Sequence, residues 1–307
     1  GIRQRHIAAP EECSSDMAVC AAENLFSEYG VDRSKIDYII LCTQSPDYFL
    51  PTTACLLQHR LGIPDHCGAF DFNLGCSGFV YGLSMAKGLI ETDQAKHVLL
   101  LTAETYSKFI HPQDGAARAI FGDAATATLI ASEHVERDGL GSFVFGTDGS
   151  GGDDIIVPVG GMRNPAVTCP SVETVDAAGN IRTNHNFYMN GRSVISFAQA
   201  MAPDALRKVL KKAGLKREEI DYYVFHQANR FMLESLQHKC KLQGLPFWNK
   251  PDLCGNTVSS TIPLALEEIL STVGAARLKK VVALGFGVGL SWAGGLLDLS
   301  RTLPEKS

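Results

Sequence analysis

No two cysteines in this 307-residue chain are spaced as Cys-x-x-Cys, and their number, nine, is odd; a reduced cytosolic compartment fits that usage best. Positive charge is not in excess. Against 33 Asp and Glu stand 28 Lys and Arg, a net charge of −5, which speaks against nucleic acid or an anionic membrane as partner. Long apolar runs are missing too. The longest uncharged stretch, Val281–Leu297, holds five glycines and is shorter than the ~20 residues of a membrane helix, so it reads as two buried strands with a turn between them. His66-Cys67 and the His238/Cys240 pair have no second ligand pair at usable spacing, so no metal is expected. These absences describe a soluble, cytoplasmic protein. Its one basic cluster, Arg207, Lys208, Lys211, Lys212, Lys216 and Arg217, reads as the solvated face of a helix, with docking of an acidic carrier as the alternative.

What is present is a repeat. Gly30–Gln44 parallels Gly214–Asn229, Gly75-Cys76-Ser77 parallels Gly255-Asn256-Thr257, and Lys96–Leu101 parallels Lys279–Leu284, at shifts of 184, 180 and 183 residues. Three matches in order at a nearly constant shift mean a duplicated α/β half. A hydrophobic content of 45% is ample for the core of such a double unit.

Periodicity fills in the halves. Ser14 or Ser15 can cap a helix with Met17, Ala21, Leu25 and Phe26 on its apolar face, ending at Gly30. Ile36–Cys42, Ala69–Asn73, His97–Thr102 and Ala124–Ile130 read as buried strands, and Thr52–Leu61 and Ser77–Ile90 as helices. Residues 1–156 form the N-terminal half. Val157–Asn186, rich in Pro, Gly, Asn and Thr, forms a connector or cap. Residues 187–307 form the C-terminal half, with helices Arg192–Ala213, Arg230–Lys241 and Thr257–Leu270 and strands Tyr222–His226, Val281–Leu284 and Ser291–Leu299. Asp148–Asp153 is acidic and glycine-rich but lacks calcium-loop spacing and reads as a turn.

Three side chains sit at corresponding ends of strands or starts of helices. Cys76 follows a glycine at a strand-to-helix turn, where free amides and the helix dipole favour a thiolate; the alternative is one more small buried hydrophobe. His226 ends an apolar strand, where open α/β sheets place ligands, or is a satisfied core histidine. Asn256 is a functional amide or a helix cap.

The blocks Asn73–Phe79, Phe225–Asn229, Gly255–Thr257 and Gly285–Trp292 resemble the signatures of β-ketoacyl-acyl-carrier-protein synthase III, a branch of the thiolase superfamily, and the likeness runs from Gly1 to Leu299. The resemblance implies a five-layered αβαβα fold of two duplicated halves and a homodimer. The activity implied is decarboxylative Claisen condensation of an acyl-CoA primer with malonyl-acyl carrier protein, starting fatty-acid or related acyl-chain synthesis. No permanent cofactor is implied; CoA and phosphopantetheine thioesters are substrates. Cys76 would carry the acyl group, and the backbone amides of Cys76 and Val288 would hold the oxyanion. His226 Nε2 and Asn256 Nδ2 would donate to the enolate. Leu50, Phe286 and Asn229 would line the substrate pocket, and Gln227, Ala228, Asn229, Arg230 and Phe231 would meet the carrier.

The chain departs from the family pattern in places. Val288 stands between Gly287 and Gly289 where many members have three glycines, and Phe231 occupies a slot that is often arginine. The chain starts at glycine, so residues upstream are expected, including a strand absent from the first half and a CoA-holding Trp and Arg. The second half's counterpart of that strand is taken to be Phe187-Tyr188-Met189. Two rival functions remain at this level: transfer of the acyl group to an alcohol or amine, and an inactive partner subunit. A dinucleotide site at Gly285–Gly289 is a third rival, disfavoured by the missing third glycine at the right step and by too little chain for a βαβ unit.

Overall fold

The computed structural model describes residues 1–135 and 138–302. Its first part runs α1 (Ser14–Tyr29), β1 (Tyr38–Cys42), α2 (Thr53–Arg60), β2 (Gly68–Phe72), α3 (Gly78–Glu91), β3 (His97–Glu104), α4 (Gly115–Arg118) and β4 (Ala124–Ala131). Then come β5 (Leu140–Thr147) and three short strands, β6 (Ile155–Ile156), β7 (Glu173–Val175) and β8 (Ile181–Thr183). The remainder is β9 (Tyr188–Met189), α5 (Gly191–Ala213), β10 (Tyr222–Phe225), α6 (Arg230–Lys239), α7 (Thr261–Val273), β11 (Val281–Gly287) and β12 (Ser291–Leu297). No helix among the described residues is long and apolar enough to cross a membrane.

Two four-stranded sheets carry the chain, in the orders β2-β1-β3-β4 and β10-β11-β12-β5. The repeat read from the sequence is visible in them. In each, one strand pairs in parallel with the next (β1 with β3, β10 with β11), and that strand pairs antiparallel with a third (β4, β12). The approach is repeated as well. α1 and α5 both end at a left-handed glycine, Gly30 and Gly214, followed by a short 3-10 turn and the strand. Beside β10, where β2 would fall, the pairing shrinks to a single Tyr223–Phe247 bridge.

Side-chain alternation along the strands builds the layers, because successive residues face opposite sides. Ile39, Leu41, Leu99 and Leu101 pack outward against Ala18, Ala22, Phe26, Leu57 and Leu61 of α1 and α2 and the turn that ends α2. Ile40, Val98 and Leu100 face inward and share one core with Val281, Ala283 and Ala293 of the other sheet, with α3 and α7 between. Val282 and Leu284 face out toward Ala198, Ala202, Leu206 and Val209 of α5 and Leu233 and Leu236 of α6. The order is therefore αβαβα, the five-layered thiolase-type fold. Hydroxyl and carboxyl groups tie the halves together: Ser77 Oγ meets Ser291 Oγ at 2.8 Å, Thr102 Oγ1 meets Ser260 Oγ at 2.8 Å, and Ser259 donates to Glu104 at 2.7 Å.

The structure corrects the expected boundaries in three places. β5 belongs by sequence to the span 1–156 but pairs antiparallel with β12, so the crossing into the second sheet comes before Leu140. β9, taken as the second half's opening strand, pairs only with β6 in a two-stranded ribbon; β5 fills the fourth position of that sheet. The buried face of α1 is Ala18, Ala22 and Phe26 rather than Met17, Ala21 and Leu25, and its cap is Cys13. Ser14 instead turns inward and donates to the Ser45 carbonyl at 2.7 Å. Small residues at Ala18 and Ala22 let the helix lie close on the sheet, with Phe26 the one large side chain of the buried face. The connector 157–186 holds the β7–β8 hairpin, exposed along β7 and half-buried along β8.

Candidate active site

Cys76 lies in the turn between β2 and α3 and is 7% exposed. It can be there because β11 is glycine at the facing positions. A Cβ on Gly285 would strike the Cys76 carbonyl and come within 2.7 Å of Ser77 Cα, and one on Gly287 would lie 3.0 Å from Cys76 Sγ. The two glycines thus bring the nucleophile candidate of the first half against the second sheet. Burial pushes the Cys76 thiol up, the Glu104 carboxyl adds to that, and only its own backbone amide opposes. Burial thus opposes the thiolate that the field of the helix start favours.

His226 follows β10 and extends its pairing, its N–H donating to the Leu284 carbonyl at 2.8 Å. The ring is 3% exposed and lies edge-on to Phe286, centroids 5.8 Å apart. Burial drives its pKa down to about 3, so it is a neutral imidazole across the physiological range. Its Nδ1 lies 2.7 Å from Thr261 Oγ1.

Asn256 is 6% exposed and held at both backbone groups, its N–H donating to Ile120 at 2.9 Å and its carbonyl accepting from Gly122 at 3.0 Å. Its Oδ1 accepts from the Val258 N–H at 2.9 Å, which leaves the amide Nδ2 as the end free to donate elsewhere.

Val258 joins the three. Its amide holds Asn256, its carbonyl accepts from the Thr261 backbone N–H, and its Cγ1 sits 3.2 Å from where a Gly75 Cβ would be, beside Cys76. Its φ of +55° is a left-handed conformation that a β-branched residue adopts only at a cost of about 1–3 kcal/mol. The sequence reading passed over Val258, Thr261, Ser259 and Glu104. The signals were present: three hydroxyl residues in a row after Gly-Asn-Thr, and a lone acid closing the apolar run of β3. Glu104 is 0% exposed and accepts from Gln44 N, Ser45 Oγ and Ser259 Oγ, yet burial still pushes it up to about 8.

The other expected site residues divide. Phe286 is buried against His226, and Val288 follows Gly287 at the end of β11, half-buried. Asn229 spends its side chain capping α6 through Met232 N at 2.9 Å. Gln227 and Ala228 are 4% and 7% exposed and are corrected from carrier contacts to interior residues. The Gln227 amide bonds Phe225 and Trp248 carbonyls and the Lys250 N–H, so none of it is available to a protein partner. Phe231 is 68% exposed, and Arg230 beside it reaches toward Asp252 at 3.9 Å. Leu50 is 80% exposed on a loop with Tyr48 and Phe49, so within one chain it lines no enclosed pocket.

Comparison with known proteins agrees with this geometry. The family model described as 3-oxoacyl-[acyl-carrier-protein] synthase III matches residues 70–149, and the model of its C-terminal part matches residues 210–299. A β-ketoacyl-acyl-carrier-protein synthase III of Caldanaerobacter subterraneus subsp. tengcongensis is 35% identical over 301 residues, spanning 98% of this chain and 88% of that relative. One of Clostridioides difficile is 37% identical over 297 residues, 97% of this chain and 87% of that one. A crystal structure of a 3-oxoacyl-(acyl-carrier-protein) synthase III superposes with a TM-score of 0.95 at 53% identity, covering 97% of this chain and 88% of that one. Fold and site define a thiolase-type condensing enzyme. The chain belongs to the 3-oxoacyl-acyl-carrier-protein synthase III family and is an acyltransferase.

Proposed function

We propose that this enzyme condenses an acyl-CoA primer with malonyl-acyl carrier protein through an acyl group on Cys76, and that Cys76, His226 and Asn256 divide the work. In the first half-reaction Cys76 Sγ attacks the acyl-CoA carbonyl. The carbon–sulfur bond to CoA breaks, and the thiol proton ends on the departing CoA sulfur. In the second, the malonyl carboxylate leaves as CO2 and its electron pair moves onto the thioester oxygen as an enolate. His226 Nε2 and Asn256 Nδ2 donate to that oxygen. The enolate carbon then attacks the acyl-cysteine, and the oxyanion formed is held by the Cys76 and Val288 amides. Collapse releases the Cys76 thiolate, which takes a proton from solvent. Two neutral donors suit this step, because neither competes for the carbon's electron pair. The observation that carries the reading is Asn256: its Oδ1 is tied to Val258, so its donor end is the one left for substrate.

CoA and phosphopantetheine thioesters are the only non-protein molecules this scheme requires. Arg230 and Phe231 are the surface residues offered to the carrier, and the exposed Tyr48-Phe49-Leu50 segment is offered to a second copy in a cytoplasmic homodimer. Peptide mapping by mass spectrometry after exposure to a series of acyl-CoAs tests the scheme. The acyl mass should appear on Cys76 alone and vanish in Cys76→Ala. Label on another cysteine, or label surviving that substitution, defeats it.

A further inference from the structure

We infer that the Thr261 hydroxyl is the positioning group that holds His226 in the tautomer with its proton on Nε2. The inference deepens the proposed function and rests on its second half-reaction, in which Nε2 must donate. A neutral imidazole carries one ring proton, and which nitrogen has it follows from what the other nitrogen accepts. Thr261 Oγ1 stands within reach of two acceptors, His226 Nδ1 at 2.7 Å and the Val258 carbonyl at 3.1 Å, and has one proton to give.

Two observations place that proton on His226. Hydroxyl hydrogen bonds to oxygen fall at roughly 2.5–3.0 Å, and the approach to Val258 is longer. The Val258 carbonyl is also already served by the Thr261 backbone N–H, which closes the 3-10 turn at Val258–Ser260. Nδ1 has no such second donor among the hydrogen bonds of the described residues. With Thr261 donating to Nδ1, Nε2 carries the hydrogen.

The local sequence keeps this hydroxyl in place. Ser259, Ser260 and Thr261 are 1%, 0% and 3% exposed, and each makes a different cross-link: Ser259 to Glu104, Ser260 to Thr102, Thr261 to His226. Thr261 also begins α7, so its Cα is fixed by the helix, and the left-handed turn at Val258 aims the first turn of α7 at β10. One residue in that conformation thereby orients both donors, Asn256 through its amide and His226 through Thr261.

The test needs no substrate in its first arm. Imidazole nitrogen NMR on the full chain labelled with 15N-histidine should show His226 protonated on Nε2 and bare on Nδ1. Thr261→Val, which keeps the shape and loses the hydroxyl, should shift that population toward the other tautomer. It should slow CO2 release from malonyl-acyl carrier protein at least ~10-fold while Cys76 acylation changes less than about twofold. Thr261→Ser should restore both tautomer and rate. A wild-type proton on Nδ1 overturns the inference, as does a Thr261→Val protein that keeps the wild-type tautomer and rate. Should Thr261→Val fail to fold, the wild-type and Thr261→Ser spectra decide. A wild type with the Nε2 proton that never releases CO2 supports the tautomer assignment and overturns the decarboxylation reading instead.

Discussion

Glu104 is the acid whose state the fold controls most. Its pKa of about 8, raised from 4.5 by burial, means the folded chain keeps its proton where the unfolded chain has lost it. Between those two values the native state binds the extra proton, so stability falls as pH rises and is highest below the unfolded value. Glu104→Gln should flatten this slope: from pH 5 to pH 8.5 the wild type should lose several degrees of Tm relative to the variant, as thermal denaturation in matched buffers would show. His226 behaves in the opposite sense, its folded pKa of about 3 lying below the ordinary 6.5. It contributes stability that is lost as pH falls through that interval, and it does not titrate in the working range. The rate of malonyl decarboxylation should therefore show no inflection near 6.5, and one assigned to His226 by its absence in His226→Ala would refute neutrality. His226→Ala and Asn256→Ala should each slow that half-reaction at least ~10²-fold and affect acylation less. Equal losses in both half-reactions for Asn256→Ala would mark it as a structural cap.

At the scale of elements, β11 decides whether the site exists. Its glycines at 285 and 287 face Cys76, and the atoms a Gly285 side chain would meet are backbone, which cannot yield. Gly285→Ala should cost about 1–3 kcal/mol of stability by overpacking, read from the urea midpoint, and should lower the acylation rate of Cys76. A variant with unchanged midpoint and acylation would mean the turn slides freely along the strand. β1, β3, β10 and β11 were legible in the sequence because strands buried on both faces read as continuous apolar runs. His226 was legible because it sits where one of those runs ends, and Cys76 and Asn256 because each follows a glycine just ahead of a helical segment. The rest was hidden for physical reasons. Leu140–Thr147 is β-rich but nothing along it names its partner strand, and the identity of that partner is a long-range fact. Gln227 looks like a surface residue until its amide is seen filling three backbone partners. Thr261 resembles any helix-start threonine until the fold sets it beside His226.

Across the whole molecule the two sheets are fastened by α3 and α7 in one shared core and by the hydroxyl bridges at Ser77, Thr102 and Ser259. They should unfold as one unit. Both tryptophans, Trp248 and Trp292, lie in the second half, so their fluorescence reports that half alone, whereas far-ultraviolet circular dichroism reports both. The two urea transitions should coincide, and separated midpoints would show that the halves unfold independently. The passage of β5 into the second sheet also bears on how the gene could be divided. A cut placed between β4 and β5 would leave each product with every strand of its own sheet, one ending at Ala131 and the other opening at Leu140. A cut inside the cap, where composition suggests a seam, would strand β5 on the wrong product. Of the two, only the break ahead of Leu140 should yield co-expressed pieces that reassemble into a working enzyme, because only there does the seam in the polypeptide match the seam between the sheets.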